Sequence, residues 1–365
     1  MHGFETFLNP LQHGVIRWVR RKPGLSRKAL TQRLGARPNS VGDAVGGLLE
    51  LGLIREGVAE SNRAGRPQVP LTLNASSTGR TILGIAVRGG RDGSAETVEA
   101  RAVGMLGRSS GTTWRGPGGP SATRAIQAIC DDRTLGVSIA LPGLIEDDAE
   151  PPALPGLFAA LGDLPRILDN DNHALAARWM LGQSPDEQPR DTLVVQLGDG
   201  RLGASLLIDG RPNRGVIRGG NELGHTRLPI ATDRCFCGHT GCLERIASTA
   251  FMHRHGASRV RTLAELASAY PSGTAGDDHA VNVMLDALAM GVGNALQMLR
   301  PHRLVVVSEF TGYAGFQNGW FDRLRDQLFP ELRERIVFEC WDRPLSSPAE
   351  SAAHLGLAAL FDGRW

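Results

Sequence analysis

The chain has no apolar run long enough to cross a bilayer, which excludes a membrane-spanning helix. Its opening, Met1-His2-Gly3-Phe4-Glu5, lacks the basic segment and apolar run of a secretory signal. The expected location is cytoplasmic, with thiols kept reduced. Cysteine is scarce, at five in 365 residues, and it is unevenly spread. Cys130 and Cys340 stand alone and read as buried apolar residues. The other three fall in Cys235-Phe236-Cys237-Gly238-His239-Thr240-Gly241-Cys242-Leu243-Glu244, with His225 just upstream in Glu222-Leu223-Gly224-His225. A disulfide with a spare thiol is disfavoured in a reducing compartment, where clustered thiols signal a metal. Three thiols and an imidazole suit a closed tetrahedral zinc site held by His225, Cys235, Cys237 and Cys242. The glycines between the thiols let a short loop wrap one ion. Such an ion fixes a loop and does no chemistry. Glu222 and Glu244 flank the ligands and would be held beside it.

A hydrophobic content of 41% and 46 glycines fit an α/β protein with many tight loops, and the length allows two or three domains. The net charge of +2 hides a split: residues 1–74 hold 11 basic and 5 acidic residues, the remainder 29 and 33. A basic small segment on an acidic body points to one domain that meets a polyanion and one that does not.

In the N-terminal segment, Val15, Ile16, Trp18 and Val19 have helical spacing, and Pro23-Gly24 breaks that helix. Ser26 is an N-cap for a second helix carrying Ala29, Leu30 and Leu34, followed by a turn at Gly35. Pro38 opens a third, with Val41, Val45, Leu48 and Leu49 inward. Gly52 to Gly57 reads as a strand entering a hairpin. That order predicts a winged helix-turn-helix over 1–74, its third helix in the major groove of DNA. The wing, Arg63-Ala64-Gly65-Arg66-Pro67, sets arginines on extended backbone suited to a narrow minor groove. Asn39 and Ser40 are the base-reading candidates; Arg37, Arg63 and Arg66 are the backbone or minor-groove candidates; Ser26 and Arg27 complete the set. Gly42, Gly46 and Gly47 weaken the third helix, and Asp43 opposes phosphate.

From about residue 80, strand-like runs (81–87, 136–141, 192–197, 204–208, 304–307) alternate with helical ones (174–181, 281–299, 349–361). Two α/β lobes with a cleft between them are expected. Asp169-Asn170-Asp171-Asn172-His173 lies where a strand would meet a helix. Such residues are often only caps, but with Glu222, His225 and Glu244 they form a set that can bind sugar hydroxyls.

Together these residues resemble the ROK family of bacterial sugar-responsive repressors and sugar kinases. The matches are Leu25-Ser26-Arg27-Lys28-Ala29-Leu30, Gly65-Arg66-Pro67, Pro142-Gly143, Asn170-Asp171, Glu222-Leu223-Gly224-His225 and the long cysteine motif, so the likeness spans nearly the whole chain. It implies an actin-like, hexokinase-like two-lobed domain over 75–365. Lobe one would take about 75–170 plus the helix 349–361, and lobe two about 171–348. It also implies sugar contacts at Asn170, Asp171, Glu222, His225 and Glu244, a structural zinc and a homodimer or homotetramer. In kinase members the residue matching Asp171 is the general base.

The departures weigh against phosphoryl transfer. Where kinases carry Asp-x-Gly-Gly-Thr, this chain has Ala86-Val87-Arg88-Gly89-Gly90. Gly198-Asp199-Gly200-Arg201-Leu202-Gly203 puts an acid where a hydroxyl would meet phosphate, and Ser308-Glu309 replaces a glycine pair. Transfer depends on cradling phosphate and neutralising its charge. The family's sugar-contacting Asn is here Ala153. The expectation is a sugar-responsive transcription factor, a repressor, without kinase activity. The competing readings are an ATP-dependent sugar kinase using Asp171 and a regulator that no longer senses sugar.

Overall fold

A computed structural model describes residues 7–59, 68–76, 79–89, 95–145, 147–184, 191–198, 200–215, 219–230, 232–256, 260–272, 279–309, 312–341 and 347–363. The chain forms two compact units, residues 1–188 with 347–365, and residues 189–346.

The first unit opens with α1 (Pro10–Arg21), α2 (Arg27–Leu34) and α3 (Pro38–Glu50). Local chemistry sets each start. Asn9 and Gln12 form a reciprocal capping box on α1, Ser26 Oγ accepts from Ala29 N on α2, and Pro38 supplies the first residue of α3. Gly35, at φ 59°, ends α2 in a left-handed conformation that glycine adopts without strain. Val15, Ile16, Val19, Leu30, Val41, Val45 and Leu48 are all buried and make the small core. Trp18 instead stays half-exposed, its ring 4.6 Å from the Arg33 guanidinium. Strands β1 (Ile54–Glu56) and β2 (Leu71–Leu73) pair antiparallel, Ile54 opposite Leu73.

Gly42 and Gly46 lie on α3 with open space where a Cβ would go. Exchanging both for alanine should raise stability by about 1 kcal/mol each, because alanine loses less backbone entropy in a helix. Urea unfolding checks this. Gly47 differs: a Cβ there would meet Gln12 Nε2 at 2.7 Å.

The body of this unit is a five-stranded sheet. It is built from β3 (Thr81–Arg88), β4 (Thr97–Gly104), β5 (Ser109–Pro117), β6 (Thr134–Leu141) and β7 (Arg166–Asn170), in the order β5-β4-β3-β6-β7. β3, β6 and β7 run parallel; β4 and β5 are antiparallel additions. Helices α4 (Pro120–Ile129), α5 (Leu157–Leu161) and α6 (Asp171–Gly182) connect and follow the strands.

The second unit holds β8 (Thr192–Gly198), β9 (Arg201–Ile208) and β10 (Arg211–Pro212). Helices α7 (Leu243–Ile246), α8 (Thr249–Arg254), α9 (Leu263–Ala269) and α10 (His279–Leu299) follow. Then come β11 (Arg303–Ser308), α11 (Ala314–Asp326), α12 (Pro330–Arg333) and β12 (Val337–Cys340). Its sheet order is β10-β9-β8-β11-β12, with β8, β11 and β12 parallel. No described helix is long and apolar enough to cross a membrane. Cys130 and Cys340 are half-buried, and burial pushes their thiols up to about 11 and about 12.

The chain returns to the first unit as α13 (Pro348–Asp362), which is buried all round from Ala349 to Phe361 save Glu350. α13 lies across β3 and along α6. Arg178 of α6 donates to Glu350 at 2.8 Å, with both side chains largely buried. That packing keeps α6 with the first unit, so the unit extends to 188, past the lobe boundary at 170/171 expected from sequence.

Candidate functional site

In the first unit β7 delivers Asp169 and Asn170 to the start of α6. Asn170 is the N-cap: its Oδ1 accepts from Asn172 N at 2.8 Å. Its Nδ2 donates to Gly143 O at 2.8 Å, which ties the Pro142-Gly143 turn to this loop. Asn170 is thus buried and largely committed to structure. Asp171 is half-buried and receives Asn172 Nδ2 at 3.1 Å. Asp169 Oδ1 lies 2.7 Å from His173 Nδ1 and accepts from Asn170 N at 2.8 Å. This fully buried Asp169–His173 pair sets the loop from beneath. Its i, i+4 spacing is readable, but its burial is not.

Ala153 is buried, and its carbonyl accepts from Gly119 N at 2.8 Å. Glu150 fixes the following turn, accepting from Gly156 N and Phe158 N at 2.6 Å each.

In the second unit the four expected metal ligands converge. One ligand atom from each of His225, Cys235, Cys237 and Cys242 lies within 4.8 Å of all the others. Cys235 Sγ is 3.6 Å from His225 Nδ1, and Cys237 Sγ is 3.6 Å from Cys242 Sγ. Tetrahedral zinc, with bonds of ~2.3 Å to sulfur and ~2.0 Å to nitrogen, sets edges of about 3.5–3.8 Å. The donor set and its spacing therefore fit zinc.

Backbone bonds hold the loop open around this point. Cys235 N donates to His239 O at 2.8 Å and Gly238 N to Cys235 O at 3.0 Å, with Gly238 at φ 91°. Leu228 N to Gly241 O and Leu243 N to Thr226 O tie the loop to the turn Leu223–His225. Burial pushes Cys242 up to about 12 and raises Cys235. The exposed Cys237 is drawn down to about 6, chiefly by a backbone hydrogen bond at His239. His239 Nδ1 is also 3.6 Å from Cys237 Sγ, a neighbour the sequence reading did not assign.

The carboxylates sit as expected beside this cluster. Glu222 Oε2 is 3.7 Å from His225 Nε2, so the two ring nitrogens face opposite partners. A carboxylate behind a ligating imidazole fixes its orientation. Glu244 Oε2 accepts from Leu202 N at 3.1 Å. Between them Gly224 must stay bare: a Cβ there would lie 2.3 Å from Leu202 O and 3.2 Å from Glu244 Cβ.

Of the nucleic-acid candidates, Arg37, Asn39 and Ser40 are exposed around the start of α3. Arg27 is half-exposed and ion-paired with Glu56. Ser26 is buried, spent on capping α2 and on donating to Gln68 Oε1 at 2.8 Å. Arg63 and Arg66 lie outside the described residues, as do Gly90 and Asp199 of the phosphate-loop positions. Arg88 ends β3 half-buried and Glu309 is exposed after β11.

The ROK family model matches residues 124–364. The chain belongs to the ROK family. Among curated relatives, N-acetyl-D-glucosamine kinase of Salmonella typhi is 28% identical over 243 residues, covering 57% of this chain and 79% of that protein. Among solved structures, a ROK family transcriptional regulator described as a homolog of the E. coli MLC protein superposes with a TM-score of 0.74 at 22% identity. It covers 96% of both chains. A ROK glucokinase from Streptomyces griseus, solved with glucose and AMPPNP, gives 0.53 at 19% identity and covers 75% of this chain and 98% of its own. The family includes both regulators and kinases, and the two-unit α/β fold is common to them.

Proposed function

We propose that this ROK protein is a sugar-responsive, DNA-binding transcriptional regulator, a repressor, whose first 74 residues act as a winged helix-turn-helix. The observation that carries this reading is coverage. The regulator fold matches nearly the whole chain, whereas about a quarter of it has no counterpart in the glucokinase. The N-terminal three helices and hairpin, with Arg37, Asn39 and Ser40 exposed, supply a surface for a two-fold symmetric operator bound by a homodimer or homotetramer. Arg27, Arg63 and Arg66 would add phosphate or minor-groove contacts, while Ser26 would set α2 through its cap. The proposed sugar contacts are Asn170, Asp171, Glu222, His225 and Glu244. Zinc on His225, Cys235, Cys237 and Cys242 would fix the loop that carries three of these.

Kinase activity is the second reading, favoured by the N-acetyl-D-glucosamine kinase relatives and by Asp171 in the base position. Ala86 and Glu309 speak against it: Ala86 stands where kinases carry the acid near the nucleotide's metal, and Glu309 adds negative charge where a glycine pair would lie. The test pairs two assays. Selection of fragmented genomic DNA by the zinc-loaded protein, at fixed salt because non-specific binding falls steeply with it, should recover discrete sites sharing a palindrome. ADP release with N-acetyl-D-glucosamine or glucose should stay at background. Turnover that Asp171→Asn abolishes, with no shared DNA site, would replace the regulator reading by the kinase one.

A further inference from the structure

His13, Arg17 and Arg20 follow one another on α1 at spacings of four and three, so they form one stripe. All three end on groups at the C-termini of two other helices of the same unit. His13 Nδ1 is 2.9 Å from Leu360 O of α13. Arg17 donates to the Asp362 carboxylate at 2.6 Å and to its carbonyl at 3.3 Å. Arg20 donates to Leu181 O of α6 at 2.6 Å, and its guanidinium lies 5.5 Å from the Phe361 ring. The last four carbonyls of a helix lack intrahelical donors, and that end carries partial negative charge. The stripe therefore caps α6 and α13 together. Arg20 is half-buried, and burial lowers its pKa.

The other end of α6 is the Asn170–Asp171 loop. The two ends are separated by a 12-residue helix, about 18 Å long. Arg178, midway along, binds Glu350 of α13, so the two helices are joined at both that point and through α1. Packed helices shift as bodies between discrete arrangements rather than deforming smoothly. A displacement imposed at Asp171 is therefore felt at Leu181 O.

We infer that α6 passes effector binding at Asn170–Asp171 to the DNA-contacting segment, and that the Arg20–Leu181 hydrogen bond is the joint. This rests on the sugar-responsive reading above. Arg17–Asp362 is a half-exposed pair of small worth, which leaves the half-buried Arg20 as the discriminating link.

The test uses the full zinc-loaded chain, the DNA site recovered by genomic selection, and glucose and N-acetyl-D-glucosamine as probes. In the unaltered protein the better-binding probe should change operator Kd by about 5–150-fold, the usual range for coupled sites, and the operator should change sugar Kd by the same factor. Arg20→Met keeps the apolar stem and removes the donor. It should leave sugar affinity and sugar-free operator affinity within about twofold, with coupling reduced to near one. Arg20→Lys should restore part of it. Hydrogen exchange supplies a second readout if Arg20→Met folds poorly: sugar should alter exchange of α1 amides in the unaltered chain and in Arg17→Ala. Full coupling in a folded Arg20→Met, or α1 amides indifferent to bound sugar, would overturn the inference and leave the regulator reading standing. Failure of the unaltered chain to bind either probe or any shared DNA site would overturn both.

Discussion

Exchanging Cys242 for serine should take bound zinc from about one ion per chain to near none and unfold the Glu222–Glu244 loop. Cys242 is the most constrained ligand: it is fully buried, it N-caps α7, and its thiol faces Cys237 at 3.6 Å. Without the ion, the two buried thiols stay protonated, raised by burial, Cys242 to about 12. Zinc must displace those two protons, whereas Cys237, held at about 6, is already a thiolate at neutral pH. The sign follows: affinity falls as pH falls, by about a hundredfold per unit across pH 7–8, because two protons are exchanged per ion. Structural zinc contributes roughly 10 kcal/mol or more of apparent binding in small domains, so even a fraction of that should lower the melting temperature visibly. Elemental analysis and melting with and without chelator check this. A zinc-free preparation that melts identically in chelator would show that the cluster holds no structural ion.

Gly84→Ala should destabilise the first unit by about 3 kcal/mol or more. Gly84 sits mid-β3 under α13, and a Cβ there would lie 1.9 Å from Ala349 O and 2.4 Å from Ala353 N. Both are backbone atoms, so no rotamer change relieves the overlap. α13 itself must rise off the sheet, and at its far end it carries Leu360 and Asp362, the partners of His13 and Arg17. Disturbance should therefore reach α1. Chemical denaturation gives the stability, and hydrogen exchange of α1 gives the reach. A change below about 1 kcal/mol would mean that helix and sheet are not so closely packed. The alanine pair on α3 has the opposite expected sign, because Gly42 and Gly46 face open space.

The sequence alone determined the features whose cause is local. The Ser26 cap and Pro38 at the first helical position fixed where α2 and α3 start, because both act within a single turn. The ligand set was legible since Cys235, Cys237 and Cys242 share eight residues and His225 is ten upstream. Runs such as Ile82–Val87 read as a strand because a central strand buried on both faces must be apolar throughout. The exposed edge β5, Ser109–Pro117, carried no such signal.

Tertiary structure decided everything that depends on distant partners. The helix expected over 174–181 is α6, Asp171–Gly182, but only Arg178 meeting Glu350, 172 residues away, assigns that helix to the first unit. Asn170 reads as a cap or a ligand contact from its position alone; only the fold shows that its side chain also reaches Gly143 O, 27 residues away, besides capping at Asn172 N. The stripe of His13, Arg17 and Arg20 is visible as spacing, yet its targets lie 161 to 347 residues along the chain. Short-range sterics and hydrogen bonds are written into neighbouring residues. Which buried groups meet across the fold depends on how whole helices and sheets pack, and no local pattern encodes that.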